Sequence, residues 1–382
     1  MWLKIIAGTY ILLHGATGGM PLSPISVDSF SDNIGHFRSR YAKDAYERYP
    51  VDDFEKIAGN ILTYQRANGG WPSNWDPLRV LSPEEREEEI DRRLHSDTTF
   101  DNRTTYTHLE YLAEVFNRTG DSVYEEAAVR GMNFIICAQY ANGGFPHSYP
   151  DTQGYRPHIT FMDDVMIGVL ETLEKASAGM APFAFLSPSL KDKARHAFQR
   201  GLECVLRLQI RVDGLPAGWA GQYDEESLRP TTGRSYELPS LVSAETVQVT
   251  RFLMGIEDPP AEIIEAVEGA VSWLERSTLT GIRVETFAIE PVRYDYYVAK
   301  TDKRVVQDPQ APPLWARFYE IDTNRPFMAN RDGTKVFTLE EVAHERRVGY
   351  VWYTSAPATL LEKEYPAWRQ RWGGRKGTRQ EH

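Results

Sequence analysis

The chain has 382 residues, 41% apolar and 12% aromatic, with 20 Tyr, 9 Trp and a formal net charge of −11. It is long and apolar enough to bury a substantial core, in one large domain or two ordinary ones, which excludes a disordered chain. The negative charge argues against nucleic acid or an anionic membrane as partner, and an acidic polymer would need arginines or a bound cation to relieve repulsion.

The first residues, "MWLKIIAGTYILLHGATGGMPLSP", carry Lys4, an apolar stretch and then small residues before proline. They predict a signal peptide over 1–20, cleaved among Ala16 to Met20, and a secreted or periplasmic/cell-surface protein; the other reading is an ordinary buried element. No later segment is apolar for long enough to span a bilayer. A weak internal repeat follows. "YQRANGGWPSNWD", "CAQYANGGFPHSYPD" and "LRLQIRVDGLPAGWAGQYD" each pass from an apolar helix end through a glycine turn to aromatics and an acid, at Asp76, Asp151 and Asp224. Between these strings apolar residues recur at helical spacing, as Leu109, Leu112 and Phe116 do. The spacing predicts helices over 105–118, 123–140, 161–175, 190–208 and 240–254.

Helical hairpins with one apolar face must stack or close into a ring. The expected fold is therefore mainly α, a toroid of hairpins, with the turns at Gly70, Gly144 and Gly214 on one face. After Ile282, "VETFAIEPVRYDYYVAK" alternates as strands do, and "PLWARFYEIDTNRPFMANRDG" reads as strand, turn and strand before a helix over 338–344. No linker sets this small β-containing part apart, so 21–372 is read as one domain with a flexible basic tail over 373–382. Whether Cys137 and Cys204 pair stays open.

Four polar constellations stand out. "TTFDNRTTYTHLEYL" sets Asp101 and Asn102 at a helix start, where an N-cap explains one oxygen donor and not two. "HITFMDDV" repeats the arrangement at Asp163 and Asp164, the latter suited to capping. If both starts share a face, Asp101, Asn102 and Asp163 converge on a hard cation, and oxygen donors favour Ca2+ over zinc or copper. The bland alternative is two caps. His147 and His158 lack the i, i+4 spacing of a zinc helix. "WAGQYDEESLRPTTGRSYELPSL" is an irregular loop bringing Trp219, Arg234 and Tyr236, which suits binding or catalysis, unless Arg234 merely pairs with Glu237. Arg325 and Arg331 stand in hairpin context, and guanidinium forks grip carboxylates.

These strings resemble polysaccharide lyase family 10, the pectate lyases. "TFDN", "NGGFPHSYP…GYRPHITFMDD", "WAGQYDE", "GRSYELPSL" and "TNRPF…RDG…ER…GY.WY" follow the family's order over nearly the whole chain. The resemblance implies an (α/α) toroid that cleaves polygalacturonate by anti β-elimination, usually with Ca2+, leaving 4,5-unsaturated ends. It implies Asp101 and Asp163, with Asn102 adjacent, as calcium residues, Arg234 as the catalytic arginine and Arg325 as a substrate-carboxylate arginine. Arg331, Tyr236, Trp219 and His158 are the further expected substrate contacts of a monomer. Arginine as base requires its small deprotonated fraction, hence an alkaline optimum; Arg234 could instead hold the oxyanion while hydroxide or a tyrosine takes the proton. Thr232, Tyr223 and Arg103 depart from the family's pattern, which puts the subsite contacts in doubt. The rival readings are a glycoside hydrolase using Asp101 with Asp163 or Asp164 as acid and base, and an inactive glycan-binding repeat protein.

Overall fold

The computed structural model describes residues 24–40, 45–295 and 297–372. The expected signal peptide over 1–20 and the tail over 373–382 lie outside the described residues. Helices α1 (Ser31–Arg40), α2 (Phe54–Tyr64) and α3 (Pro83–Asp91) precede three successive helical hairpins. These pair α4 (Tyr106–Thr119) with α5 (Ser122–Ala138), α6 (Val165–Ala178) with α7 (Pro188–Arg207), and α8 (Ser243–Gly255) with α9 (Ala261–Arg276). The first helix of each hairpin touches the first of the next, and the second touches the second, so the protein is mainly helical and two-layered here.

The helical pattern of the sequence explains these elements. In α4 the buried residues Leu109, Leu112, Ala113 and Val115 form one face, and α4 and α6 stop at the left-handed Gly120 and Gly179. Ser187 caps α7 by accepting from the Leu190 N–H, with Pro188 in the first turn. The helix expected over 338–344 is instead a single turn, Leu339–Glu341, followed by α10 (His344–Gly349). Among the described residues no helix is long and apolar enough to cross a membrane. Both cysteines are free, Cys137 exposed and Cys204 buried.

The repeat is written in hydrogen bonds. Gln65, Gln139 and Gln209 each donate from Nε2 to two carbonyls: Gly69 and Ala127, Gly143 and Ala197, Ala217 and Ala266. Each glutamine thus ties the chain leaving α2, α5 or α7 to the second helix of the next hairpin. The residue after each glutamine donates its N–H to the carbonyl of Gly70, Gly144 or Gly218, and these three glycines stand 74 residues apart. The third repeat glycine is therefore Gly218, a correction to Gly214, which turns the small ribbon Arg211–Val212/Leu215–Pro216.

Tryptophan follows the same logic. The indoles of Trp71, Trp219 and Trp315 donate to the carbonyls of Ile61, Val205 and Leu274. The Tyr223 and Tyr319 hydroxyls accept from the Ala220 and Ala316 N–H groups, so "WARFY" is a fourth copy of the repeat, matching "WAGQY". Trp219 is fully buried with its N–H satisfied, which corrects its expected role as a substrate contact.

This fourth copy lies within the β-containing part. A four-stranded antiparallel sheet runs in the order Lys335–Val336, Pro326–Ala329, Phe318–Tyr319, Leu241–Val242, and its last strand leads straight into α8. A long ribbon, Ile282–Arg293 against Val298–Gln307, flanks it. Met162 packs with Val242, Phe318, Phe327, Met328 and Trp352 in a second core beside the main helical one. The turn before α6 is thus clamped where the helical and β-containing parts meet.

Candidate active site

Two turns with one backbone shape open α4 and α6. In the first, Phe100 donates its N–H to the His147 carbonyl, and Asn102 and Arg103 then take φ of 52° and 61°. In the second, Phe161 donates to the Gly221 carbonyl, and Asp163 and Asp164 take φ of 53° and 59°. Left-handed backbone costs a residue with a Cβ about 1–2 kcal/mol, and such strain persists only where surrounding bonds over-determine it. Here buried Phe100 and Phe161 and their carbonyl partners do so. Neither helix has a side-chain cap, which corrects the capping reading: Thr105 and Asp164 stand at the N-cap positions without one, and the Asp164 carboxylate pairs with Arg103 at 2.5 Å.

Asp101, Asp163 and Arg234 do come together. Arg234 Nη2 lies 3.4 Å from Asp163 Oδ2 and 3.8 Å from Asp101 Oδ1, while Nη1 lies 3.2 Å from Glu237 Oε1. Arg234 therefore meets both acids and also pairs with Glu237, so its contacts are not confined to Glu237. Burial works against the guanidinium charge, yet Glu237, Asp163 and Asp101 hold its proton well above the already high usual value. Burial likewise pushes Asp101 up, but His147, Arg234 and His36 hold it well below the usual carboxylate range. Burial, then the charge of Asp101, pushes the Asp163 carboxyl up. Two acids of opposite tendency beside one cation form a strongly coupled site.

The donor set fits a cation. Asp101 Oδ1 is buried without a hydrogen-bond donor, and both acids lie within 4 Å of a single guanidinium nitrogen, the positive charge now between them. Asn102 donates its amide to Asn74 Oδ1 at 3.0 Å and to Asp101 Oδ2 at 3.2 Å, so it steadies Asp101. A cavity of about 270 Å³ opens over this cluster, lined by Asp101, Asn102, His147, Tyr155, Arg156 and Arg234. A second cavity of about 560 Å³ lies among α4, α6 and α8, and there Arg103–Asp164, Lys175–Glu110 and Arg251–Glu364 satisfy one another.

The remaining expected contacts are engaged elsewhere. The Arg325 guanidinium carbon stacks 3.4 Å from the Phe337 ring centroid, and no described contact joins it to Asp101, Asp163 or Arg234. Arg331 pairs with Glu345 at 2.7 Å. Tyr236, expected as a substrate contact, is 7% exposed, packed against the Tyr350 ring and under the guanidinium of Arg346. His158 Nδ1 lies 3.1 Å from Glu225 Oε2 and clusters with Asp224 and Glu225.

Sequence reasoning missed Arg317 and His147. Arg317 donates to Glu245 at 2.8 Å and lies over the Tyr350 ring at 4.8 Å, while Tyr350 donates to Glu237, the partner of Arg234. Asp163 also feels the charge of Arg317. The available signal was the repeat: His147, Gly221 and Arg317 occupy one position in successive copies, each lending its carbonyl to the chain at or just before the start of α4, α6 or α8.

Comparisons with known proteins agree with this architecture. The family described as pectic acid lyase matches residues 65–361. A family 10 polysaccharide lyase from Cellvibrio cellulosa superposes with a TM-score of 0.69 and 27% identity, covering 92% of this chain and 98% of that one. A mutant of a family 10 polysaccharide lyase from the same organism, in complex with trigalacturonic acid, matches with the same TM-score and identity over 92% of this chain and 99% of that one. No curated protein matches.

Proposed function

The chain belongs to the pectic acid lyase family and is a polysaccharide lyase, and from that premise we propose that it cleaves (1→4)-α-D-galacturonan by Ca2+-assisted anti β-elimination at the Asp101–Asp163–Arg234 cluster. The observation that carries this reading is the placement of Arg234 between two acids, one with a buried, unpartnered oxygen. The 74-residue hairpin repeat supports an (α/α) toroid, with 21–372 acting as one catalytic unit. An extracellular galacturonan would require export of the chain.

Asp101 and Asp163 would hold the ion, with Asn102 fixing the Asp101 carboxylate. When bound, Ca2+ neutralises the uronate carboxylate and so lowers the cost of the charge that develops at C5. Arg234 acts on the C5 proton. The C5 proton would pass to Arg234, the electron pair of the C5–H bond forms the C4–C5 double bond, and O4 leaves on the opposite side and takes a proton from water. As long as Glu237 and two bare acids surround it, Arg234 stays protonated and can only donate. A role as base requires the charge of Asp101 and Asp163 to be engaged elsewhere, which ties proton removal to substrate and ion binding and predicts an alkaline optimum.

The test is incubation of the chain with polygalacturonate, with and without EDTA, followed by ultraviolet absorbance of the conjugated product. Absorbance that rises and is abolished by EDTA is the expected result. New reducing ends without absorbance would show a hydrolase instead, and no reaction at all would leave a glycan-binding protein.

A further inference from the structure

We propose that His147 is a nitrogen ligand of the cation held at Asp101, so that this site binds first-row divalent ions such as Co2+ more tightly than Ca2+. This rests on the reading that a cation binds at Asp101, and it goes further by adding a softer donor to the site.

The hydrogen bonds around the imidazole fix which nitrogen carries its proton. The Thr99 hydroxyl donates to the His147 carbonyl at 2.7 Å, and Thr99 Oγ1 accepts from the Asp101 N–H at 3.0 Å and from the Ser148 hydroxyl at 2.9 Å. The Ser148 proton is thereby committed, so Ser148 Oγ accepts from His147 Nδ1 at 2.8 Å. A neutral imidazole with its hydrogen on Nδ1 presents a bare lone pair at Nε2.

That lone pair points at another. His147 Nε2 lies 3.4 Å from Asp101 Oδ1, and both atoms are buried without a hydrogen-bond partner. The imidazole is nine-tenths buried and held edge-on to the Tyr155 ring, with centroids 5.0 Å apart, so it cannot simply turn its nitrogen to water. Two buried acceptors facing each other are repulsive unless something positive lies between them: a second proton on the imidazole, the state in which His147 holds Asp101 low, or a metal ion that displaces that proton. At 3.4 Å the contact is long for a hydrogen bond to a charged group. It does match two neighbours in one coordination shell, since ligands about 2.0–2.2 Å from an ion sit roughly 3–3.5 Å apart at tetrahedral to octahedral angles. The second-shell pattern is also that of a ligating histidine, whose far nitrogen is hydrogen-bonded and its tautomer thereby set.

A nitrogen donor changes which ion wins. Oxygen-only sites suit Ca2+, whereas imidazole favours the later first-row divalent ions. Co2+ is the useful probe because it reports its ligands: an imidazole bound through Nε2 shows its Nδ1–H as a strongly shifted, exchangeable proton resonance.

Calorimetric titration of the full chain with Ca2+ and with Co2+ tests the proposal, in a His158→Gln background because His158, Asp224 and Glu225 form a cluster that could also hold Co2+. The background chain should bind Co2+ at least about tenfold more tightly than Ca2+, and His147→Gln should remove that advantage while moving Ca2+ affinity by less than about threefold. The shifted N–H resonance should appear with Co2+ and vanish in His147→Gln. Its appearance in the chain that keeps His147 does not depend on how the variant folds. Co2+ binding that is lost in Asp101→Asn but shows no shifted resonance would overturn the role of His147 alone. Failure of both ions to bind, or binding indifferent to Asp101→Asn, would overturn the cation site itself, and this proposal with it.

Discussion

The turns before α4 and α6 share a backbone and differ in what stands over them. Over the Asp101 turn the repeat places His147; over the Asp163 turn it places Gly221, which has no side chain. At the next copy it places Arg317 over the start of α8, where Glu245 is its partner. The consequence shows in exposure. The Asp101 side chain is 11% exposed and Asp163 31%, and Arg234, arriving from an irregular loop, reaches both. A repeated scaffold thus delivers different chemistry by varying one position per copy, and the cavity over the cluster opens on the copy that carries His147.

Three substitutions would break or sharpen this contrast. The largest effect belongs to the filled copy. Glu245 is almost wholly buried, and burial already pushes its carboxyl up, so Arg317→Met would leave an unpaired buried charge. Removing one partner of a buried pair typically costs about 3–5 kcal/mol. We expect a loss of that size in chemical denaturation, largely restored by combining Arg317→Met with Glu245→Leu. If the double variant is no more stable than the single one, Arg317 is not chiefly the counter-charge of Glu245.

The empty copy gives the next effect. A Cβ at Gly221 would come within 2.8 Å of Met162 Cε and 3.1 Å of its Cγ, on the residue before Asp163. Methionine can yield, so overpacking should cost about 1–3 kcal/mol rather than unfold the chain. Gly221→Ala should shift Asp163 and lower kcat/KM on polygalacturonate about tenfold, a 1.4 kcal/mol effect. Full activity would mean that the close packing of Gly221 on Met162 does not position Asp163.

Much of this was legible in the sequence, and the limits have physical causes. The 74-residue period and the hairpins follow from helical spacing and from matching strings, whereas the meeting of Asp101, Asp163 and Arg234 was implied by the family resemblance. Choosing Gly214 over Gly218 came from matching a glycine–proline turn rather than the carbonyl that the repeat uses. Trp219 looked like a sugar platform because it lies in a polar loop, but its indole N–H is spent inside the core. His147 and Arg317 were hidden because each belongs to a copy of the repeat while its partner acid lies on the preceding helix start, and only the fold brings the two registers together.

The smallest expected effect concerns stability at Asp163, and it should have the opposite sign to most active-site losses. Asp163 pays twice in the ion-free protein: φ of 53° is unfavourable for a side chain, and burial with the charge of Asp101 pushes its carboxyl up. Glycine at this position accepts the backbone freely and removes the charge, so Asp163→Gly should abolish lyase activity yet stabilise the fold by about 1 kcal/mol. The gain should also depend on pH. A carboxyl whose folded pKa lies above its unfolded value binds its proton more tightly when folded, so its contribution is present in acid and lost as pH rises through the folded value. With EDTA present, the advantage of Asp163→Gly over the parent chain should therefore grow as pH rises from the ordinary carboxylate range towards neutrality. Added Ca2+ should reverse it by stabilising only the parent chain, since ligand binding to the folded state raises stability by mass action. Melting curves at several pH values, with EDTA and with Ca2+, decide the matter. An Asp163→Gly chain that melts lower than its parent in EDTA at neutral pH would show that Asp163 supports the fold rather than being held there at a cost for chemistry.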